Sequence, residues 1–454
     1  MSTDTKSPQT LTLGKRVCLG FGGIPDIGMQ VPIKSMANPI FNIVFGVNPA
    51  LIGIAMALPR IWEIIIDPWI GLMSDRTRSR WGRRRPYVLL GGIIGALLFA
   101  AVWWVPESWS VTAKGWWLIA MAMLHFTAFS FFIVPYSALL SEATDNPVER
   151  TKIMAMRSAF VSITSGLIAW LYWLCQRPFF DDAAQGMRVV GIAFGLVMVI
   201  GALMPCLAAR NHAGGVADIA PPKKGDSLKL FRELLRIAPF RGVLLAIFAV
   251  VTCSSLTGNF GFYVTVFYMY AGDKVSAALL LGVSGAVLCV ANVLVSFAVG
   301  WMRGRVGAWK TLRFFIATAF LGYLSQWWTM RPEWPYVYVI TAIMCGMGIT
   351  SFWIIMSSLT GEISADYERR TGRALAGSFF AFFNIAIKLA FSVGLLLTGF
   401  LLNATGFDIA IGDIQGESTL TAMRLLNVIG PCAGLLVAWR CVSTIKRGTG
   451  KPND

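Results

Sequence analysis

PRIWEIIIDPWIGLMSDRTRSRWGRRRPY, residues 59–87, runs from an apolar helix straight into a dense basic loop, and that junction decides the fold. Between Ile61 and Ser74 the only charges are Glu63 and Asp67. Arg60, Glu63 and Asp67 recur at i, i+3 and i+7, so a helix puts them on one face. Asp75 and six arginines follow, from Arg76 to Arg85. Lys and Arg concentrate on the cytoplasmic side of membrane spans, so this helix crosses a bilayer and ends in the cytoplasm. A charge at mid-membrane costs about 2.5–3.5 kcal/mol even on the most lenient insertion scale. Seven stand inside apolar stretches here: Asp26, Lys34, Arg60, Glu63, Asp67, Arg157 and Lys388. Their usual use is to move a solute or an ion.

The rest of the chain extends the pattern. Its 454 residues are 56% hydrophobic and 14% charged, where a soluble chain carries about a quarter charged residues. Mean hydropathy is +0.65. Twelve apolar stretches long enough to span a bilayer are expected, at 17–45, 50–74, 87–106, 115–141, 153–175, 187–209, 239–270, 275–302, 310–330, 335–361, 374–403 and 420–443. Barrel strands of alternating polarity are not seen, so the class is an all-α membrane protein. Most Lys and Arg fall in alternate connections, which puts both termini in the cytoplasm. The net charge of +16 is therefore a topology signal rather than a nucleic-acid footprint. The polar N-terminus lacks the short apolar region and cleavage site of a signal peptide. Eight Cys without paired spacing argue against a disulfide framework or metal site, and two His leave little material for zinc or His-based catalysis.

The longest polar interruption, 210–238, carries HAGGVADIAPPKKGDSLK and then an amphipathic LKLFRELLRI. It separates a first bundle, 1–209, from a second, 239–454. SALLSEATDNPVERT (137–151) and SSLTGEISADYERRT (357–371) coincide at a constant offset of 220 at Ser137/Ser357, Leu139/Leu359, Glu142/Glu362, Arg150/Arg370 and Thr151/Thr371. GLMSDRTRSRWGRRR after span 2 echoes GWMRGRVGAWK after span 8. Two six-helix bundles related by duplication follow.

Glu63 and Asp67, a turn apart at depth, repel each other if both are ionised. Na⁺ or a shared proton relieves that, since hard cations favour oxygen ligands and paired carboxylates split their titrations. A static Arg60–Glu63 salt bridge is the structural alternative. Lys388 lies too deep to snorkel easily, and Asn384 shares its face. Tyr263, Tyr268 and Asn259 lie around TGNFGFY, where Gly258 and Gly261 suit either a gate or close helix packing. His125 is a lone intramembrane histidine, either a proton relay or hydrogen-bonded structure. Glu142, Glu362 and Asp366 stand at span ends among arginines, placed for closing salt bridges.

The motif at 59–87, with GFGG (20–23), VPYSAL (134–139) and ADYERRTGRALAGS (365–378), resembles the glycoside–pentoside–hexuronide:cation symporters, the melibiose permease-like branch of the major facilitator superfamily. The resemblance implies two pseudo-symmetric six-helix bundles and inward, cation-coupled transport of a sugar or glycoside by alternating access. It implies a cation site at Glu63 and Asp67, open to Na⁺ or H⁺, with Ser130 as a neutral oxygen. It implies substrate binding through Arg157 and Lys388, and gating through Asp75, Arg76 and the loop arginines. Asp26, Asn384 and Tyr263 complete the expected substrate set. Two family acids fall on Ile27 and Ile133, and an expected aromatic falls on Ser137. Three interior acids then face four bases, which favours an anionic solute such as a hexuronide. Other expectations are a monomer in the cytoplasmic membrane, a small-molecule and lipid-contacting protein with no cofactor beyond the coupling ion. A lysolipid carrier of the same wider group is the rival. A polytopic membrane enzyme lacks a catalytic loop, because RPFFDDAAQG and GFDIAIGDIQGES are short.

Overall fold

The structure, a computed structural model, describes residues 11–144, 147–208, 226–372, 375–408 and 415–448. Every regular element among them is helical. In order they are α1 (Leu13–Gly20), α2 (Gly23–Gly28), α3 (Val31–Met36), a π-helical piece (Ala37–Val44), α4 (Pro49–Arg76), α5 (Arg85–Val102), α6 (Val111–Glu142), α7 (Pro147–Ala169), α8 (Leu171–Leu174) and α9 (Ala183–Ala208). Then come α10 (Asp226–Leu235), α11 (Ala238–Tyr263), a second π-helical piece (Val264–Met269), α12 (Lys274–Val306), α13 (Ala308–Thr329), α14 (Val337–Thr371), α15 (Ala376–Ala404) and α16 (Glu417–Gly448).

Ten helices among the described residues are long and apolar enough to cross a membrane. The stretches expected as spans 1 and 9 are not among them, for different reasons. Span 1 is broken into four short pieces covering 13–44. Pro25, Pro32 and Pro39 lack the N–H that would bond the carbonyl four residues back, and glycines flank the breaks. The span-9 stretch is a continuous helix, α13, whose Lys310, Arg313 and Gln326 lower its apolarity.

The chain divides into two compact units, 1–47 with 62–218, and 48–61 with 219–454. In the first, Val88, Phe132, Tyr136 and Leu140 form part of a buried core. In the second, Phe240, Val250, Phe315, Phe352 and Leu435 do the same. The opening half of α4 belongs to the second unit, where it packs on α15. Asn403 donates to the Asn48 side chain (2.8 Å) and Ser392 to the Ala57 carbonyl (3.3 Å). The amphipathic piece forms α10, docked through buried Leu234 and a Tyr367 hydroxyl that donates to Glu233 (2.5 Å). Residues 210–225 of the expected linker lie outside the described residues.

Candidate functional site

Span 1 reaches span 5 through glycines. A Cβ on Gly22 would lie 2.3 Å from the Tyr136 ring, and one on Gly23 would lie 2.5 Å from the Arg157 carbonyl oxygen. Only a residue without a side chain lets the backbones approach so closely. That approach sets Asp26 against Arg157 on α7. Arg157 donates through Nη2 (2.6 Å) and Nε (3.1 Å) to one Asp26 oxygen, while Gln30 donates to the other (3.3 Å). The Asp26 side chain is 10% exposed and that of Arg157 31%. Tyr136 is buried, its hydroxyl donating to the Leu19 carbonyl (2.8 Å). The residue beside the position where an aromatic was expected thus fixes span 1 in place.

The second half of α4 runs along α6. Trp62 donates to Thr127 (3.0 Å), the Trp69 and Phe131 rings meet at 6.5 Å, and a Cβ on Gly71 would touch Val134 (3.7 Å). Glu63 is fully buried and Arg60 3% exposed. Ser130 is 1% exposed, and its hydroxyl oxygen has no hydrogen-bond partner among the described residues. Glu63 and Asp67 stand one turn apart on α4. Among the described residues no group of three or more His, Cys, Asp or Glu is placed to hold a metal. Any cation here would therefore need neutral oxygens as well.

The second unit contributes Lys388, half-buried on α15, and Asn384, exposed one turn before it. Tyr263 is fully buried against Phe407 (4.9 Å) and Phe267 (6.2 Å). Tyr268 lies under the Arg424 guanidinium (4.1 Å), and Asn259 donates to the Ser255 carbonyl (3.3 Å).

The expected gating residues form two clusters. In the first unit Arg84 pairs with Asp75 and Glu142 and donates to Ser74 (2.7 Å), while Arg83 joins at Glu142 (2.8 Å). In the second, Arg303 pairs with Glu362 and donates to Ser358 (2.5 Å). Arg83–Glu142 and Arg303–Glu362 stand 220 residues apart at both ends, the offset seen in the sequence echo. Asp366 pairs along its own helix with Arg370 (2.8 Å), and Arg76 is exposed. Another junction went unread in the sequence. Glu149, buried at the start of α7, takes hydrogen bonds from Arg16 (2.8 Å), Lys152 (2.9 Å) and the Leu11 amide (3.3 Å). Gln30 and Tyr136 carry no such signal in the sequence, whereas Arg84 is one of the loop arginines expected to gate and the GWMRGR echo marks the end of α12 that carries Arg303.

The family model described as MFS/sugar transport protein matches residues 18–446. An uncharacterized symporter of Synechocystis, sll1374, is 28% identical, with 84% of each chain covered. The glucuronide carrier protein homolog of Escherichia coli is 25% identical over 87% of this chain and 84% of its own. A bacterial homolog of the human lysosomal transporter Spinster, solved facing inward and unoccupied, superposes with a TM-score of 0.69 at 15% identity, covering 96% of this chain and 98% of that one. Family and relatives are transporters rather than enzymes, and the helices make this a multi-pass membrane protein. The match runs over nearly the whole chain, and the chain belongs to the MFS/sugar transport protein family.

Proposed function

We propose that the protein carries an acidic sugar, glycoside or hexuronide inward across the cytoplasmic membrane together with H⁺ or Na⁺. In this reading it is a monomer with twelve spans in two six-helix bundles and both termini in the cytoplasm. Span 1 counts as one crossing despite its breaks. The observations that carry the reading are the Asp26–Arg157 ion pair and the full burial of Glu63. Asp26 and Arg157 cancel each other's charge, which leaves Glu63 and Asp67 with Lys34, Arg60 and Lys388. A cation on the acids leaves the interior positive, suited to a carboxylate.

Arg157 is the natural anchor. Its Nε and Nη2 are taken by Asp26, and its Nη1 makes no hydrogen bond among the described residues. A solute carboxylate competes with Asp26 for the guanidinium, since charge-assisted, paired hydrogen bonds compensate its lost hydration. Lys388, which the family resemblance implies, and Asn384, one turn before it, are the further candidate solute ligands. A proton or Na⁺ at Glu63 and Asp67, with Ser130 as a third oxygen, relieves the repulsion of the paired acids. The likeness to a protein named as a glucuronide carrier homolog supports the solute class.

The test is uptake into proteoliposomes from a panel of neutral and acidic sugars, with Na⁺ and H⁺ gradients imposed separately. Glucuronide- or galacturonide-like solutes should accumulate and out-compete their uncharged parents. Neutral disaccharides binding tighter than every acidic analogue would overturn the solute assignment.

A further inference from the structure

His125 lies on α6, fully buried, and touches two other elements at once. Nδ1 stands 2.9 Å from the Gly95 carbonyl oxygen on α5, and Nε2 stands 2.8 Å from the Met29 carbonyl oxygen at the end of α2. Both facing atoms are acceptors only. A neutral imidazole carries one N–H, so it would set a bare nitrogen lone pair against one of those oxygens at hydrogen-bonding distance. A ring with both nitrogens protonated donates to both. The walls suit a cation too. The Phe126 ring lies 5.3 Å from the imidazole and the Phe99 ring 6.1 Å, about the range of cation–π attraction.

The Met29 carbonyl is available because span 1 breaks there, between α2 and α3. Charged groups on the surrounding elements are Lys15, Arg16, Asp26 and Lys34 in span 1, Arg60, Glu63, Asp67, Asp75 and Arg76 on α4, and Arg85 at the start of α5. Lys114 opens α6 and Glu142 ends it, Glu149, Arg150, Lys152 and Arg157 lie on α7, and Arg188 lies on α9. Asp26, one turn before Met29, is the acid held by Arg157 and Gln30.

We propose that His125 is a proton-binding site, an imidazolium that ties the break in span 1 to α5 through the Met29 and Gly95 carbonyls. Burying a charge is costly, and losing a hydrogen-bond partner raises that cost. The site therefore exists while both carbonyls face the ring, and a shift of span 1 against α5 and α6 withdraws one acceptor and releases the proton to water. This goes beyond the Glu63–Asp67 pair and stands whichever ion that pair takes.

The chain has only two histidines, so replacing His212, which lies outside the described residues, leaves His125 alone. The His212→Ala protein, labelled with ¹⁵N-histidine and held in lipid nanodiscs at pH 7.5, is read by nitrogen NMR. Both ring nitrogens should carry the protonated signature in the folded protein. In denaturant at the same pH the ring should turn neutral, as a free imidazole with a pKa of about 6.5 does. One protonated and one bare nitrogen in the folded protein would overturn the proposal. Uptake of any solute plays no part in the readout, so its failure and that of the symport reading are separable.

Discussion

Asp26 occupies the Arg157 guanidinium, so under the proposed function an acidic solute would have to compete with it there. Asp26→Asn keeps the shape and the Gln30 contact while freeing the cation. Removing one partner of a buried ion pair leaves the other charge uncompensated, and a solute carboxylate is the group able to restore it. Affinity for an acidic glycoside should rise about tenfold, roughly 1.4 kcal/mol, and that for its neutral parent should not. Competition binding reads both, and equal changes would argue against the rivalry. Glu149 offers a second check at this scale. Hydrogen bonding from Lys152 holds its carboxyl below the usual range, with Arg16 and the Leu11 amide adding to it against a rise from burial. A carboxyl depressed in the folded state stabilises above its unfolded value, about 4.3 for Glu, and loses that as pH falls through the folded one. Glu149→Gln should therefore melt lower than the parent at pH 7, with the two curves converging on acidification. A gap that stays constant with pH would reject the assignment. The individual charges were legible in the sequence because apolar surroundings advertise them. The Asp26–Arg157 pairing was not, since it depends on how closely two spans approach.

That approach is a property of elements, and glycines set it. The hydropathy pattern of residues 17–45 reads as one span, yet the backbone is four pieces, because proline spacing interrupts the hydrogen-bond ladder without altering apolarity. The glycines of GFGG were visible as a motif, but not as the surface on which span 1 lies against Tyr136 and α7. Two of them meet obstacles of different kinds. At Gly22 the obstacle is the Tyr136 ring, and at Gly23 it is the Arg157 backbone. Gly22→Ala and Gly23→Ala should each cost about 1–3 kcal/mol of stability through overpacking and reduce uptake by displacing Asp26. Tyr136→Leu clears the ring, so it should rescue Gly22→Ala and leave Gly23→Ala impaired. Melting temperature and uptake of the double variants decide it: rescue of both, or of neither, would mean that span 1 is not seated as described.

At the scale of the whole molecule the sequence echo at an offset of 220 has a physical counterpart, since each unit closes an arginine–glutamate pair at that same separation. The echo was readable because helix-end charges have few permitted partners. The division of α4 was not, because contacts made by residues 48–61 with α15 leave no local signature. Transport asks more of the molecule than either unit alone, namely that occupancy of one site alters the other. Coupling is a free energy shared by two ligands, so abolishing the ion's contribution should remove the ion's enhancement and leave the solute its intrinsic binding. Glu63→Gln and Asp67→Asn each remove one carboxylate from α4, the first fully buried and the second half-buried, while keeping its size. Ion-driven accumulation should fall at least about tenfold in both variants, a loss of about 1.4 kcal/mol of coupling. Exchange of external for internal solute, which needs no net ion movement, should persist because Arg157 and Asp26 are untouched. Proteoliposomes loaded with solute measure exchange, and empty ones under an imposed gradient measure accumulation. Undiminished accumulation in both variants would reassign Glu63 to a structural pairing with Arg60 and place the coupling ion elsewhere. Loss of both activities with normal protein level would instead show that the acids hold the solute, and that ion and sugar share one site.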